Sequence, residues 1–238
     1  MKLFPKNVNF LSTERIIKGG SSSGNFENFN LAFNVNDRLE NVIANRSILK
    51  SHFHLPSNPV WINQIHSSIC VNASKLKSNI EADAIFTSKP GEVCGVLTAD
   101  CLPVFVSNKD GSKVGVAHAG WRGLINGVIE SLVKSFNCEG NNLIVHLGPA
   151  ISLNFFEVGE EIKELYLSKN ENFNRSFSFN NDKHYLDLYE AARIVLDGLN
   201  VELISGGNHC TFKESGRFFS YRRDGINSGR MAHLIWIA

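Results

Sequence analysis

The sequence predicts a mixed α/β (α+β) fold, in which layered β-sheets covered by helices form a single domain over residues 1–238. Residues 82–120 alternate apolar strands with turns. Those strands are apolar on both faces, so other elements must cover each face. Residues 124–136 carry a broad apolar face at helical spacing, as expected of a covering helix. The chain shows no repeat and no linker, and its length allows one substantial core.

The first third of the chain predicts a loop, a helix and a strand. Residues 19–30 form a glycine- and serine-rich loop threaded with aromatic residues. After Asp37, a capping residue type, apolar residues recur at helical spacing and predict a helix over residues 37–53. Residues 59–73 alternate and are rich in β-branched residues, which predicts a strand or one limb of a hairpin.

The rest of the chain continues the mixture of strands and helices. Turns at residues 89–91 and 108–112 separate the central strands. Beyond the helix at residues 124–136, the pattern predicts a strand in 142–152, helices in 158–167 and 186–199, and a strand, a turn and a strand in 217–238.

Charge and composition exclude some classes of partner. The chain has 24 basic and 23 acidic residues, a formal net charge of +1, so we expect neither nucleic acid nor a membrane as partner. Because no signal peptide or membrane-spanning stretch stands out, we expect a cytoplasmic protein. The five cysteines include no C-x-x-C pair and predict no disulfide framework, so each thiol fills the core or does chemistry: Cys70, Cys94, Cys101, Cys138 and Cys210.

Three polar residues follow apolar runs and are candidate metal ligands. His66, Cys101 and His118 each stand where a predicted strand ends or bends. Two imidazoles and one thiolate would hold zinc with a fourth position open, the pattern of catalytic zinc sites. The spacing is long-range and weak on its own, and a buried thiol or a carbonyl-bonded histidine is the structural alternative for each.

The other histidines and the arginines in turns carry weaker signals. We expect core or surface roles for His52, His54 and His146, a polar-loop position for His184, a supporting role near the site for His209, and a structural role for His233. A guanidinium beside the amino end of a helix makes an anion site. That role and a solvated surface role are equally open for Arg222 and Arg223, and packing is favoured for Arg122.

Six segments together resemble a known bacterial family: NQIHSS, ADAIFTSKPG, LTADCLPVFV, VGVAHAGWRG, LGPAIS and FFSYRRDGINSGRMAHLIWI. They resemble the laccase-domain proteins, once labelled multicopper polyphenol oxidases and similar to a human macrophage protein regarded as a purine nucleoside enzyme. The resemblance implies zinc held by His66, Cys101 and His118, which are also the implied catalytic residues. It implies phosphorolysis of adenosine, inosine and methylthioadenosine, and deamination of adenosine. This chain departs from many relatives in having Asn34 where they have a histidine.

Substrate residues follow from that implied chemistry. Arg46 and Arg222 are candidates for holding orthophosphate, and Gln64 and Asp100, close to proposed ligands, for orienting ligands or substrate. The implied partners are purine nucleosides and phosphate, and the chain is expected to be a monomer or a homodimer.

Other activities remain open for the same site. Some members of the family are described as editing a peptidoglycan precursor or as oxidising phenols with copper. This chain has eight histidines and one H-x-H pair, too few for a multicopper oxidase, although copper can bind where zinc does. A rival hypothesis makes Cys101 a nucleophile and His118 its base in a metal-free hydrolase, as in toxins whose cytotoxic necrotising factor-like cysteine hydrolase fold is similar. A non-catalytic nucleoside-binding protein is the third alternative.

Overall fold

The computed structural model describes residues 4–76 and 80–238. The strands of this part of the chain are β1 (Val8–Ser12), β2 (Val60–Trp61), β3 (Cys70–Asn72), β4 (Ala84–Thr87), β5 (Cys94–Thr98), β6 (Leu102–Asn108), β7 (Val114–Ala119), β8 (Leu143–Leu147), β9 (Glu157–Val158), β10 (Phe177–Asn180), β11 (Lys183–Leu186), β12 (Leu203–Gly206) and β13 (Met231–Ile237). The α-helices are α1 (Leu39–His52), α2 (Trp121–Ile125), α3 (Val128–Ser135), α4 (Glu160–Lys169), α5 (Leu188–Gly198) and α6 (Tyr221–Asp224).

The strands form two large sheets and one small sheet. The six-stranded sheet has the order β12-β8-β6-β7-β4-β3, and the four-stranded sheet has the order β1-β13-β5-β2. A third sheet, β10-β11-β9, is separate. In the six-stranded sheet β7 pairs antiparallel with both β4 and β6, so the ends of these central strands lie side by side.

The two large sheets pack face to face between helices. Successive side chains of a strand point to opposite faces. Val104 and Val106 of β6 therefore join the core formed with α3 and α5, whereas Phe105 between them joins the core shared with β5 and β13. On the far side of the four-stranded sheet, Leu234 packs with Leu49 of α1. This layering covers both faces of the apolar central strands, as the sequence predicts.

The predicted fold class is confirmed, and so are most of its elements. The strands and turns of residues 82–120 are present, and so are the helices predicted near residues 37–53, 158–167 and 186–199. The first of these begins at Leu39, after Asp37, whose carboxylate accepts hydrogen bonds from the Arg38 backbone and the Ser22 hydroxyl.

The single helix predicted over residues 124–136 is wrong. The structure has two helices there, α2 and α3, which are separated at Gly127. Gly127 has a φ of +92°, a left-handed conformation that ends one helix before the next begins. The apolar stripe spans both helices because both pack on the same sheet, so the hydrophobic pattern did not reveal the break.

Three smaller predictions also differ from the structure. Residues 59–73 form neither one strand nor a hairpin, because β2 lies in the four-stranded sheet and β3 in the six-stranded sheet. Residues 217–238 contain the short helix α6 before β13, in place of the first of two strands. His184 lies in β11 and not in a polar loop. Among the described residues, no helix has the length and apolarity needed to cross a bilayer.

Candidate active site

The three candidate ligands meet at one end of the six-stranded sheet. His118 lies on β7 opposite Pro103, and Cys101 immediately precedes β6, so these two residues come from neighbouring strands. His66 arrives from the segment between β2 and β3. The nitrogen and sulfur atoms that the three side chains offer to a metal ion all lie within 4.8 Å of one another. The structure therefore brings together the set that the sequence singled out, and its donor types fit zinc or copper.

A buried carboxylate fixes the backbone and the rings of this site. Asp83, fully buried at the start of β4, accepts hydrogen bonds from the backbone N–H groups of Ile65, His66 and Ser67 at 2.6–3.2 Å and from the Ser67 hydroxyl at 2.7 Å. Its Oδ1 also lies 2.8 Å from Nδ1 of His118. Because the carboxylate can only accept, the imidazole proton is on Nδ1, and Nε2 remains available to a metal ion.

The charges at the site shift the pKa values in opposite directions. Burial lowers the pKa of His66, and His118 adds to this shift, whereas Asp83 opposes it. Burial also acts to lower the pKa of His118, but the neighbouring Cys101 and the hydrogen bond to Asp83 outweigh it and raise the pKa to about 9. Burial alone would raise the pKa of Asp83, but the hydrogen bonds from His118 and Ser67 bring it down to about 2. The carboxylate is therefore ionised at neutral pH.

Two residues at the site have backbone conformations that are uncommon for residues other than glycine. His66 has a φ of +60°, and Asp100, which precedes Cys101, has a φ of +89°. Such conformations persist where the surrounding contacts hold them, and they are concentrated at functional sites. Here the backbone N–H of His66 bonds to Asp83, and the carboxylate of Asp100 is tied to other segments of the chain.

Gly120 lets the ligands approach the end of β7. A Cβ atom at this position would lie 2.8 Å from Nδ1 of His66 and 3.0 Å from Sγ of Cys101. The sequence suggests that the small residues after His118 leave room for substrate, but the space beside Gly120 is taken by His66 and Cys101. The glycine is thus required by the close packing of the candidate ligands themselves.

We predict that Gly120→Ala weakens zinc binding by about 10- to 100-fold, because the added methyl group displaces His66 or Cys101. Competitive zinc titration against a chromophoric chelator measures this change. Gly198→Ala is the matched control, since a Cβ there meets no atom within 4 Å. Unchanged zinc affinity in Gly120→Ala would show that the close approach of the two ligands is unimportant for binding.

The candidate ligands open into a cleft of about 860 Å³. Its lining includes all of the predicted substrate residues, Arg46, Gln64, Asp100 and Arg222. Four arginines and several aromatic rings line it, but Asp100 is the one carboxylate among the lining residues. A cleft of this composition is suited to a planar, apolar ring system that carries or accompanies an anion.

Arg46 is held beside two aromatic rings of the cleft. Its guanidinium lies 4.2 Å from the ring centre of Phe33 and 4.8 Å from that of Trp61, while Nε donates to the Leu31 carbonyl at 2.8 Å. Burial lowers the pKa of Arg46 to about 10, so the group stays charged at neutral pH. The two terminal nitrogens donate no hydrogen bond within residues 4–76 and 80–238, which leaves them free for an anion.

Asp100 ties the ligand segment to the arginine-bearing segment. Its carboxylate accepts hydrogen bonds from the hydroxyls of Thr211 at 2.6 Å and Ser220 at 3.0 Å and from the backbone N–H of Arg222 at 2.7 Å. Arg222 lies over the ring of Phe156 at 5.1 Å and lines the cleft. Asp100 is therefore placed to orient the segment that carries Arg222.

Gln64 is also engaged with the backbone. Its amide nitrogen donates to the Leu97 carbonyl and its amide oxygen accepts from the Leu97 N–H, each at 2.8 Å. These bonds hold the segment that leads to His66 against β5. These contacts favour one part of the predicted role of Gln64, the orientation of the candidate ligand His66. Contact of Gln64 with substrate stays a prediction.

Several predicted residues lie outside the cleft. Arg223 bonds to the carbonyls of Thr211, Phe212 and Phe218 and to Asp224, a structural role. His209 pairs with Glu214 and does not line the cleft, so its supporting role stays a prediction.

His233 has the structural role that the sequence predicts. It is buried between the hydroxyls of Ser12 and Thr98, each 2.8 Å from a ring nitrogen. Burial, with a smaller effect of His118, lowers its pKa to about 3.

Sequence reasoning missed Asp83 and Arg230. Asp83 stands between two alanines at the start of an apolar strand, and a charged residue in that position is a signal of a buried hydrogen-bonded group. Arg230 lines the cleft, and its guanidinium donates to the carbonyls of Ser228 and Gly229 at 2.6 and 3.0 Å. It lies just before β13, where nothing in the local pattern distinguishes it from a surface arginine.

Comparison with known proteins gives the family. Residues 10–238 match the family described as Multi-copper polyphenol oxidoreductase laccase. The chain belongs to this family. Within the described residues, one group of three or more His, Cys, Asp or Glu side chains is arranged to hold a metal ion, formed by His66, Cys101 and His118. A laccase-like family with such a site is consistent with metal binding.

Relatives that share about 40% sequence identity with this chain are named as enzymes. A Haemophilus influenzae protein named purine nucleoside phosphorylase is 40% identical over 235 residues, covering 98% of this chain and 95% of the relative. The Escherichia coli purine nucleoside phosphorylase YfiH is 41% identical over 234 residues, with the same coverage of each chain. These names support an enzymatic role for the chain.

Solved structures have the same fold. A Neisseria meningitidis protein of the DUF152 family superposes with a TM-score of 0.93 and 39% identity, covering 100% of this chain and 97% of the other. YlmD from Geobacillus stearothermophilus superposes with a TM-score of 0.86 and 25% identity, covering 98% and 92%. These two solved proteins thus share the mixed α/β fold of this chain.

Proposed function

We propose that the protein is a zinc-dependent purine nucleoside phosphorylase. It would convert adenosine, inosine and methylthioadenosine to the free base and ribose 1-phosphate or its methylthio analogue, and would also deaminate adenosine. The observation that carries the proposal is the meeting of His66, Cys101 and His118 in a cleft lined by arginines and aromatic rings. The names of relatives at about 40% identity support the phosphorolytic part.

His66, Cys101 and His118 would hold the metal ion, which we expect to be zinc, with copper as the alternative. Three ligands from the protein leave a coordination position open for substrate. The bound ion would supply Lewis acidity, which deamination needs to activate water. Asp83 holds a proton on Nδ1 of His118, which would leave Nε2 as the nitrogen that binds the ion.

Phosphorolysis requires orthophosphate beside the anomeric carbon of the sugar. The bond from this carbon to the base breaks, a phosphate oxygen takes its place, and the base leaves with the electron pair and gains a proton. The terminal nitrogens of Arg46 and the remaining donors of Arg222 would hold the phosphate in a forked geometry. Asp100 and Gln64 would act indirectly, by fixing the segments that carry Arg222 and His66.

Turnover of a nucleoside panel tests this proposal. With adenosine, inosine or methylthioadenosine and inorganic phosphate, we expect free base and the sugar 1-phosphate in equal amounts, and inosine from adenosine. His118→Ala is the control and should lose at least about 10³-fold in kcat/KM, the scale of several kcal/mol of transition-state stabilisation. A wild-type rate no higher than that of His118→Ala would rule out the proposed enzyme.

A second candidate function has a specific observation in its favour. Cys101, His118 and Asp83 stand in the order nucleophile, base and orienting carboxylate, and Cys101 raises the pKa of His118 against the effect of burial. Such a pair can act as a thiolate and an imidazolium in a metal-free hydrolase. Metal content and thiol alkylation distinguish the two candidates.

A further inference from the structure

The cleft contains more positive charge than orthophosphate requires. The guanidinium groups that line it are those of Arg46, Arg122, Arg222 and Arg230. Each lies over an aromatic ring of the cleft wall, at 4.1–5.7 Å from a ring centre. The salt bridges found among residues 4–76 and 80–238 involve other arginines, namely Arg175, Arg217 and Arg223. None of the four cleft arginines is therefore neutralised by a carboxylate of the described chain.

Asp100, the one carboxylate that lines the cleft, forms no salt bridge with these arginines among the described residues. Asp100 accepts its hydrogen bonds from two hydroxyls and the backbone N–H of Arg222, and from no guanidinium. Asp83 is fully buried, with its oxygens taken by Ser67, His118 and backbone N–H groups. Orthophosphate carries at most two negative charges near neutral pH, so four guanidinium groups leave room for a second anionic group.

Arg122 is the arginine best placed for a second anion. It is the second residue of α2, which follows the strand that carries His118, and its guanidinium lies over the ring of Trp121 at 4.1 Å from the ring centre. By contrast, each of the other three cleft arginines donates a hydrogen bond from its guanidinium to a backbone carbonyl: Arg46, Arg222 and Arg230. The Arg122 side chain is exposed to the cleft and donates no hydrogen bond within the described residues. The sequence favours a packing role for Arg122, and the contact of its guanidinium with the Trp121 ring provides that packing. All of the N–H donors of Arg122 remain free within the described part of the chain.

We propose that the cleft binds a nucleoside 5′-monophosphate, with the nucleoside part beside the candidate ligands and the phosphoryl group on Arg122. This rests on the proposed function, because the base and sugar occupy the nucleoside position of that reaction. Since Arg46 and Arg222 are assigned to orthophosphate, the free donor fork of Arg122 matches one further phosphoryl group. The cleft, at about 860 Å³, lies in the upper part of the roughly 300–1,000 Å³ typical of ligand pockets, so it accommodates the added group.

Equilibrium binding tests this inference without using turnover. Trp61 and Trp121 line the cleft, so quenching of tryptophan fluorescence reports occupancy, and calorimetry gives an independent Kd. The probes are adenosine 5′-monophosphate, adenosine, ribose 5-phosphate and inorganic phosphate, each with zinc-loaded protein. We expect the monophosphate to bind at least about tenfold tighter than adenosine or ribose 5-phosphate, as a charge-assisted forked contact would give.

Arg122→Gln separates the second anion position from the rest of the site. It should weaken monophosphate binding to the level of adenosine, while adenosine binding and the KM for orthophosphate change by less than about twofold. Arg175→Gln removes the same charge from a surface pair with Glu190 outside the cleft and should leave every Kd unchanged. Thermal unfolding of each variant checks that the fold is intact, and Arg122→Ala provides a second truncation.

Three results would overturn the inference. The first is a monophosphate that binds no tighter than adenosine, and the second is tight binding that survives both Arg122 variants. A raised KM for orthophosphate in Arg122→Gln would also overturn it, because Arg122 would then hold the reacting phosphate. Failure of the proposed function is distinguishable, since a protein without phosphorolysis would still give these binding curves.

Discussion

Replacing Cys101 with alanine is expected to reduce bound zinc from about one ion per chain to near zero. The side chain supplies the one thiolate among the three ligand atoms that lie within 4.8 Å of one another. With two imidazoles left, the ion loses its softest donor and its charge compensation. The same variant should lose at least about 10³-fold in kcat/KM for adenosine deamination, the reaction for which the ion would supply Lewis acidity.

Metal analysis of protein purified without added salts measures the first effect, and the nucleoside assay measures the second. Cys138→Ala is the control, since Cys138 is an exposed thiol outside the cleft. The result also decides between the two candidate functions. Metal-free wild-type protein that remains active and is inactivated by a thiol alkylator would favour the Cys101–His118 hydrolase, because alkylation then blocks the nucleophile itself.

The sequence singled out the candidate ligands because each follows an apolar run, and two of them lie at strand ends, where a rigid sheet presents side chains. His118 ends β7 and Cys101 precedes β6, so neighbouring strands bring them together. The position of His66 was harder to predict from the sequence, because the segment between β2 and β3 crosses from one large sheet to the other. Local periodicity contains no information on such a crossing, and for the same reason residues 59–73 resembled a single strand.

The supporting residues were harder to predict than the ligands. The importance of Asp83 depends on five donors that converge from two separate segments, and only the folded chain brings these donors together. Asp100 and Gln64 were singled out as neighbours of ligands, but their contacts are with Thr211, Ser220 and Leu97, which are distant in sequence. Sequence proximity to a candidate ligand thus singled out these two residues without indicating which groups they bind.

The break between α2 and α3 shows a related limit of hydrophobic patterns. Both helices bury apolar residues on the same face of the six-stranded sheet, so the stripe continues across Gly127. A glycine within a helical pattern is tolerated at a modest cost, and the pattern alone does not say whether it bends the chain. The break shortens α2, which carries Trp121 and Arg122 at the cleft.

Replacing Asp83 is expected to lower both the stability of the fold and the affinity for metal. Asp83→Ala removes the acceptor of three backbone N–H groups, one hydroxyl and the His118 ring, all in a buried position. Leaving such donors unpaired costs about 3–5 kcal/mol in the free energy of unfolding, a large share of the roughly 5–15 kcal/mol typical of a domain. Urea denaturation of the zinc-free protein measures this loss.

Asp83→Asn keeps the size of the side chain and isolates its effect on the metal site. Its amide nitrogen replaces an acceptor with a donor, so either the His118 ring or the backbone near His66 loses its partner. Because Nδ1 of His118 is then no longer held in the protonated form, zinc affinity should fall by about 10- to 100-fold even where the fold is retained. Asp197→Asn, an exposed position on α5, makes the same chemical change outside the site and should alter neither quantity. Equal zinc affinity in Asp83→Asn and wild type would mean that the position of His118 is set by the β-sheet alone, without its carboxylate partner.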